Sequence, residues 1–540
     1  MVDVALSAEA PSAHKPNLDK KPSPVTAIVF ILLLLGGIAF AVQGLLGDIH
    51  NVGEPLAIGV FGLLALALLI ALGFEFVNGF HDTANAVATV IYTHSLPPVV
   101  AVVWSGVWNL LGVLSSTGAV AFTIVTLLPV ELILQVGSGA GYAMIFALLI
   151  AAIIWNLGTW ALGIPNSSSH ALVGSIMGVG LANQFMAPAG QATSGVDWGQ
   201  ASNVGLALFW SPIAGFVLAG ALLLVMKATI RSKKLYEAPA SDAPPPIWIR
   251  GLLITTCTLV SFFHGSNDGQ KGMGLIMLIL IGAAPTAYAL NRTMNDHDTP
   301  AFVASATSAQ SAFTAHAGSV TVTDVGQART IVGQALRTRQ LSTPQVFASL
   351  ATLSGEIATE VKGFGSISHV PAAATPNLRN DMYLCDDAVR LLTKGKSVFS
   401  AAEAKTVKGY GKGLEAGTRF IPLWVKVGVA IALGLGTMVG WKRIVVTVGE
   451  RIGKTHLTYA QGAAAELVAA LLIFAGDSFH LPLSTTHILS SGVGGTMAAN
   501  GSGLQWSTLR SIAMAWVLTL PAAMTLAGLL YFILRHLIGG

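Results

Sequence analysis

The chain alternates long apolar runs with short polar breaks. Runs able to cross about 30 Å of hydrocarbon fall near Val25–Leu46, Leu56–Leu72, Pro98–Val130, Tyr142–Leu162, Gly205–Met226, Trp248–Val260, Ile421–Gly440, Tyr459–Ala475 and Ser511–Leu534. Lipid offers no partner to a free backbone amide or carbonyl, so such runs predict helices. The expected fold class is an all-α polytopic membrane protein. Trp248–Val260 is the shortest run and spans only together with the apolar residues beyond it.

Two tracts carry polar residues at a depth where a span should be apolar. One is Phe76-Val77-Asn78-Gly79-Phe80-His81-Asp82-Thr83-Ala84-Asn85, and the other is Phe262-Phe263-His264-Gly265-Ser266-Asn267-Asp268-Gly269-Gln270-Lys271. They align with Gly79 on Gly265 and Asp82 on Asp268. Ionisable residues inside a membrane are expensive and mark functional sites. The first tract is too long for one simple span, which predicts a helix broken at Gly79 and the polar residues after it. The duplication predicts a second broken helix at the other copy.

A further pattern also occurs twice. Pro165-Asn166-Ser167-Ser168-Ser169-His170 and Pro482-Leu483-Ser484-Thr485-Thr486-His487 each set a proline before hydroxyl residues and a histidine, and glycine-rich segments follow. Hydroxyl side chains cap the free N–H groups of a helix start, and proline fits at its edge. Helices too short to cross predict two re-entrant helical hairpins. Two motifs repeated in the same order divide the chain: 1–24, a polar tail; 25–54, a leading transmembrane helix, retained and not a removed signal peptide; 55–228, the first repeat; 229–247, a basic, proline-rich linker; 248–290 and 421–540, the second repeat; and 291–420, an insert. The insert reads as a small helical extramembrane domain, with helices at Val346–Lys362 and Pro376–Leu392 and disorder near Ala301–Ala317.

Composition agrees: 53% of residues are hydrophobic and 10% charged, against about 25% charged in an ordinary soluble domain. The net charge of +4 is spread over loops, where basic residues report orientation and not a nucleic-acid partner. Lys227, Arg231, Lys233, Lys234 and Arg250 frame the linker, and Lys442, Arg443, Arg451 and Lys454 fill a later loop; both belong in the cytoplasm. The insert then lies outside if the second motif's helix crosses once, and inside if that helix folds back. Cys257 and Cys385 have no metal-type spacing and predict no disulfide. No nucleotide-binding loop, His-Glu-x-x-His or nucleophile elbow is present, so no enzyme is expected.

The hydroxyl tracts suggest an anion site, because helix N-termini offer N–H groups and the positive end of a dipole. Ser167, Ser168, Ser169, Ser484, Thr485 and Thr486 are its candidate ligands; the plainer reading is helix capping or packing. Asp82 and Asp268, with the amides Asn85 and Asn267, suit a proton or a hard cation. Lys271 would neutralise an acid or attract the anion, and Glu75 is a second candidate proton carrier. His81, His264, His170 and His487 are candidate proton or gating residues, or neutral structural contacts.

Together these motifs resemble the PiT inorganic phosphate transporter family. The likeness covers residues 55–228 and 248–538, and Gly-Phe-His-Asp at 79–82 with Gly269-Gln270-Lys271-Gly272 points to its bacterial low-affinity branch. The resemblance implies a secondary transporter with inverted repeats in a bacterial inner membrane. Phosphate would sit between the two hydroxyl tips, with Asp82, Asn85, Asn267 and Asp268 holding the coupling ion. It implies proton symport of a neutral complex of phosphate with a divalent metal, Mg²⁺ or Ca²⁺, as co-substrate, with no cofactor, and a homodimer is compatible with it. Sodium coupling and other oxyanions, arsenate or sulfate, are the alternatives. His81, standing where the second copy has Asn267, carries the choice between protons and sodium.

Overall fold

The structure is a computed structural model; it describes residues 15–19, 22–52, 57–82, 84–125, 127–128, 139–187, 195–394 and 398–538. The architecture is all-helical. Helix α1 is Pro24–Val52, α2 Ile58–Asp82, α3 Ala84–Tyr92, α4 Pro98–Ser115, α5 Ala119–Val125, α6 Gly139–Ala161, α7 Ser168–Phe185, α8 Trp198–Thr229 and α9 Ile247–Ala283. Five helices build the insert: α10 Thr299–Ala317, α11 Val325–Thr338, α12 Pro344–Phe364, α13 Thr375–Leu392 and α14 Ala401–Thr418. The chain ends with α15 Leu423–Gly436, α16 Tyr459–Ser478, α17 Thr485–Asn500 and α18 Trp506–Ile538. Among the described residues, 8 helices are long and apolar enough to cross a membrane, counting Ile58–Tyr92 as one span of 35 residues. The protein is an integral membrane protein.

In the first motif α2 continues through Gly79 to Asp82 and α3 starts at Ala84, residue 83 lying outside the described residues. Three expectations need correction. The second motif is not broken at all, because α9 runs through it for 37 residues. Its polar side chains find partners on other elements, so no backbone bond is given up there. The run Pro98–Val130 divides: α4 ends at Ser115 with Ser116 as its cap, and the turn through Gly118, at φ 86, leads into the short α5. Ala301–Ala317 is helical, burying Phe302, Ala306, Ala309, Phe313 and Ala317 along one face.

Polar contacts sort the loops onto two faces. At one, Tyr92 donates to Glu450 at 2.6 Å, Arg250 to the Ser95 carbonyl at 2.9 Å, and Lys15 to Glu450 at 2.6 Å. This face holds the linker. At the other, Tyr288 and Trp424 both donate to Asp48, and Asp197, which caps α8, holds Arg339 and Arg390 of the insert at 3.0 and 3.4 Å. The insert carries its own apolar core, including Phe313, Leu353, Met382 and Tyr410.

Helices from the two halves interlock with little between them. A Cβ at Gly79 would come 2.2 Å from the Leu433 carbonyl oxygen of α15, and one at Gly265 would come 2.1 Å from the Asn109 carbonyl oxygen of α4. The same exchange recurs at the re-entrant elements: Gly178 of α7 backs onto the Met524 carbonyl of α18, and Gly495 of α17 onto the Phe216 carbonyl of α8. Aligned glycines of the two halves thus make matching contacts with the opposite half. Small residues at such crossings let backbones touch, which is how helices associate where lipid supplies no hydrophobic drive.

Candidate functional site

The two hydroxyl tips begin their helices as their sequence dictates. Ser167 accepts the His170 amide at the start of α7, and Ser484 accepts the His487 amide at the start of α17, each at 3.2 Å. These two candidate ligands therefore serve as N-caps, satisfying donors the helix leaves open. Their neighbours face inward. Ser168 donates to Asp82 Oδ2 at 2.5 Å, and Thr486 donates to Asp82 Oδ1 at 2.8 Å. One carboxylate at the end of α2 thereby joins the tips of both re-entrant helices.

From there α7 runs towards the insert face, where Asn183 accepts from Tyr531 and Arg535. Helix α17 runs the opposite way, to Gln461 near the linker face, which donates to the Thr496 carbonyl. The tips meet inside the protein: Ser168, Ser169, Thr486, Asp82 and Asp268 are all buried.

Asp268 faces the same space. The Lys271 ammonium donates to Asp268 Oδ1 at 2.6 Å, to Ser169 Oγ at 2.5 Å and to the Leu483 carbonyl at 3.1 Å. His264 Nε2 lies 3.5 Å from Asp268 Oδ2, while its Nδ1 meets Asn109 at 2.7 Å. Ligand atoms of Asp82, His264 and Asp268 all lie within 4.8 Å of one another. His81 bridges Asp82 at 3.0 Å and Thr159 at 3.3 Å. Several buried polar atoms lack a hydrogen-bond partner among the described residues: Glu75 Oε1, Asn267 Oδ1, Asp268 Oδ2, His264 Nε2 and Thr485 Oγ1. Such atoms are costly when left alone and offer donors and acceptors to a polar guest.

The sequence has relatives. The phosphate transporter family model matches residues 78–527. The chain belongs to the phosphate transporter family. It is 40% identical over 489 residues to the low-affinity inorganic phosphate transporter PitA of Escherichia coli strain K12, covering 87% of this chain and 96% of that protein. It is 38% identical over 490 residues to PitB of the same strain, covering 88% and 97%. A probable low-affinity inorganic phosphate transporter of Bacillus subtilis is 30% identical over 477 residues, covering 88% and 98%. Among solved structures, one described as the sodium-dependent phosphate transporter matches with a TM-score of 0.49 and 19% identity, over 88% of this chain and 99% of that one. The protein is a transporter and not an enzyme.

Within this family member, the structure brings together Asp82, His81, Ser168, Ser169, Thr486, His264, Asp268 and Lys271 through the contacts above. Asn267 is adjacent and donates to the Leu481 carbonyl at 3.2 Å. Glu75 is fully buried and packs against Gly272, with Asn78 Nδ2 at 3.5 Å. The side chain of Asn85 lies outside the described residues. His170 and His487 stack with ring centroids 4.5 Å apart, and His487 stacks on Trp516 at 4.2 Å. Asn109 and Thr159, which position His264 and His81, are not among the residues that the duplicated motifs single out. Their signal was present, since each is a polar residue inside an otherwise apolar run.

Proposed function

We propose that this protein imports inorganic phosphate across a bacterial inner membrane by proton symport, the anion travelling as a neutral complex with a divalent cation. The main support is that Ser168 of α7 and Thr486 of α17 donate to the same Asp82 carboxylate. In that arrangement the acid occupies the donors an oxyanion needs. A proton taken by Asp82 weakens its hold on both hydroxyls, which then turn to phosphate; the two ligands therefore favour each other's binding. The two halves act as inverted repeats around this centre, which supplies alternating access by exchange of their conformations.

The donor set also fits a divalent ion carried as co-substrate. Asp268 and His264 would hold it, their Oδ2 and Nε2 atoms lying 3.5 Å apart with no other partner among the described residues, and Asp82 would reach the same ion in its unprotonated state. An imidazole among the ligands favours a first-row transition ion over Mg²⁺ or Ca²⁺. A sodium-coupled mechanism is the second reading, favoured by the unpartnered Asn267 carbonyl oxygen, a hard-cation ligand.

Reconstituted protein separates the two. Uptake of labelled phosphate is expected to follow an imposed inward proton gradient, to ignore a sodium gradient, and to fall when divalent ions are chelated. Uptake driven by sodium alone would overturn the proton assignment.

We infer the orientation from α9: its 37 unbroken residues support a single crossing, which would set the insert opposite the linker. Lys227, Lys233, Lys234 and Arg250 lie in or next to the linker, and basic residues of this kind favour the cytoplasm, with the insert then in the periplasm. Single cysteines introduced on the insert surface, such as Thr307→Cys, should react with an impermeant maleimide in intact spheroplasts, whereas Lys234→Cys should need permeabilisation; the reverse pattern would invert the topology.

A further inference from the structure

One feature of the site is not used by proton and metal symport. The Lys271 ammonium is 1% exposed and lies in a nest made only of oxygens: a carboxylate oxygen of Asp268, the Ser169 hydroxyl and the Leu483 carbonyl, at 2.5–3.1 Å. A carboxylate, a hydroxyl and a backbone carbonyl converging on one point form the ligand set of a hard monovalent cation. The three come from three parts of the fold: α9, the tip of α7, and the segment just before α17. The motif is duplicated, but the neutralisation is not symmetrical. Asp82 takes His81, Ser168 and Thr486, while Asp268 takes a lysine from its own helix at i,i+3.

The geometry points to Lys271 as a tethered cation: its ammonium fills a monovalent-cation site at Asp268, so that transport requires one fewer ion from solution. This rests on the phosphate-transport reading above. It makes Lys271 a determinant of ion stoichiometry, distinct from a direct phosphate ligand. The chemistry of the nest is general, and with the ammonium removed it should accept NH₄⁺, which matches the lysine head in charge and size, or Na⁺, which matches it in charge and draws the oxygens closer. Lys271 also ties the tips, since Ser169 belongs to one and Leu483 precedes the other, so the site should close only when a cation is present there.

The charge logic sets the test. Breaking a buried pair by removing one partner leaves an uncompensated charge, whereas removing both is far milder. Lys271→Gln, Asp268→Asn and the double variant are compared in proteoliposomes with N-methylglucamine as the only monovalent cation, then with Na⁺ or NH₄⁺ added to millimolar levels. Labelled phosphate is the cargo, and wild-type uptake in the same vesicles checks the transport reading by itself. Expected are loss of at least tenfold in both single variants without small cations, recovery of Lys271→Gln by Na⁺ or NH₄⁺, and in the double variant a melting temperature nearer the wild type than that of either single variant. Asp268→Asn, which keeps its lysine, should gain nothing from added cations.

Thermal unfolding of the purified proteins gives a readout independent of transport. Lys271→Gln should gain melting temperature with NH₄⁺ or Na⁺, while the wild type gains none. The proposal is overturned if Lys271→Gln transports like the wild type without small cations, or if no small cation restores its uptake or raises its melting temperature while raised phosphate concentration does restore uptake, with a higher KM. That second outcome would make Lys271 a phosphate ligand. Absence of phosphate uptake by the wild type would instead sink the transport reading, leaving the cation-dependent melting shift to decide the role of Lys271.

Discussion

Asp82→Asn is expected to abolish concentrative phosphate uptake while the protein still inserts and folds. The side chain is nearly isosteric, and an uncharged amide is cheaper in a membrane interior than an acid. What is lost is specific. Asp82 accepts from Ser168 and Thr486 on separate re-entrant helices and from His81 beside it. An amide keeps one acceptor oxygen and turns the other position into a donor, which faces a hydroxyl whose proton it cannot take. Hydrogen bonds to a charged group contribute about 1.5–3 kcal/mol each, so losing one already costs roughly tenfold to a hundredfold in the equilibrium that assembles the tips. The amide also binds no proton at any physiological pH, so coupling disappears even where the tips still close. Accumulation should therefore fall to background across pH 5–8, with membrane levels unchanged on an immunoblot. Residual downhill exchange would be compatible, because a neutral residue at this position mimics the protonated acid. Accumulation that persists with its normal pH dependence would remove Asp82 from the coupling site.

The parts of this site that sequence revealed are those written into local pattern. Duplicated proline, hydroxyl and histidine positions gave both tips, and Ser167 and Ser484 cap their helices as hydroxyls before a helix should. The aspartates stood out because acids are rare in apolar runs. What local pattern could not carry was partnership across the chain. Helix α9 stays unbroken because Ser266 and Gln270 bond to Asp477, and Lys271 bonds to Asp268 and to both tips. Apart from Asp268, those partners lie far along the sequence, so the polar motif looked like a break. Asn109 was missed for the same reason, as its value lies in the His264 ring it orients. The error at Ala301–Ala317 has a different origin: its buried face, Phe302, Ala306, Ala309, Phe313 and Ala317, does repeat at helical spacing, but alanine makes the stripe weakly apolar.

Two adjacent glycines in α17 give the sharpest contrast in expected stability. A methyl group at Gly495 would stand 2.0 Å from the Phe216 carbonyl oxygen and 2.7 Å from its carbon, whereas one at Gly494 would meet nothing nearer than 3.7 Å. The first neighbour is helix backbone and cannot swing aside, so α17 and α8 must separate. Overpacking of this kind costs about 1–3 kcal/mol, at times more, and separation moves Thr486 away from Asp82 as well. Gly495→Ala should therefore lower the melting temperature in detergent by several degrees and depress phosphate uptake strongly. Gly494→Ala should melt with or slightly above the wild type, because alanine is favoured over glycine inside a helix by up to about 1 kcal/mol. The aligned Gly178 predicts the same penalty in the other half, its added carbon lying 2.1 Å from the Met524 carbonyl oxygen. If Gly495→Ala and Gly178→Ala both melt with the wild type, the re-entrant helices are not held by backbone contact with α8 and α18. If only the transport of these variants falls while their stability is kept, the close contact serves tip placement and not cohesion of the fold.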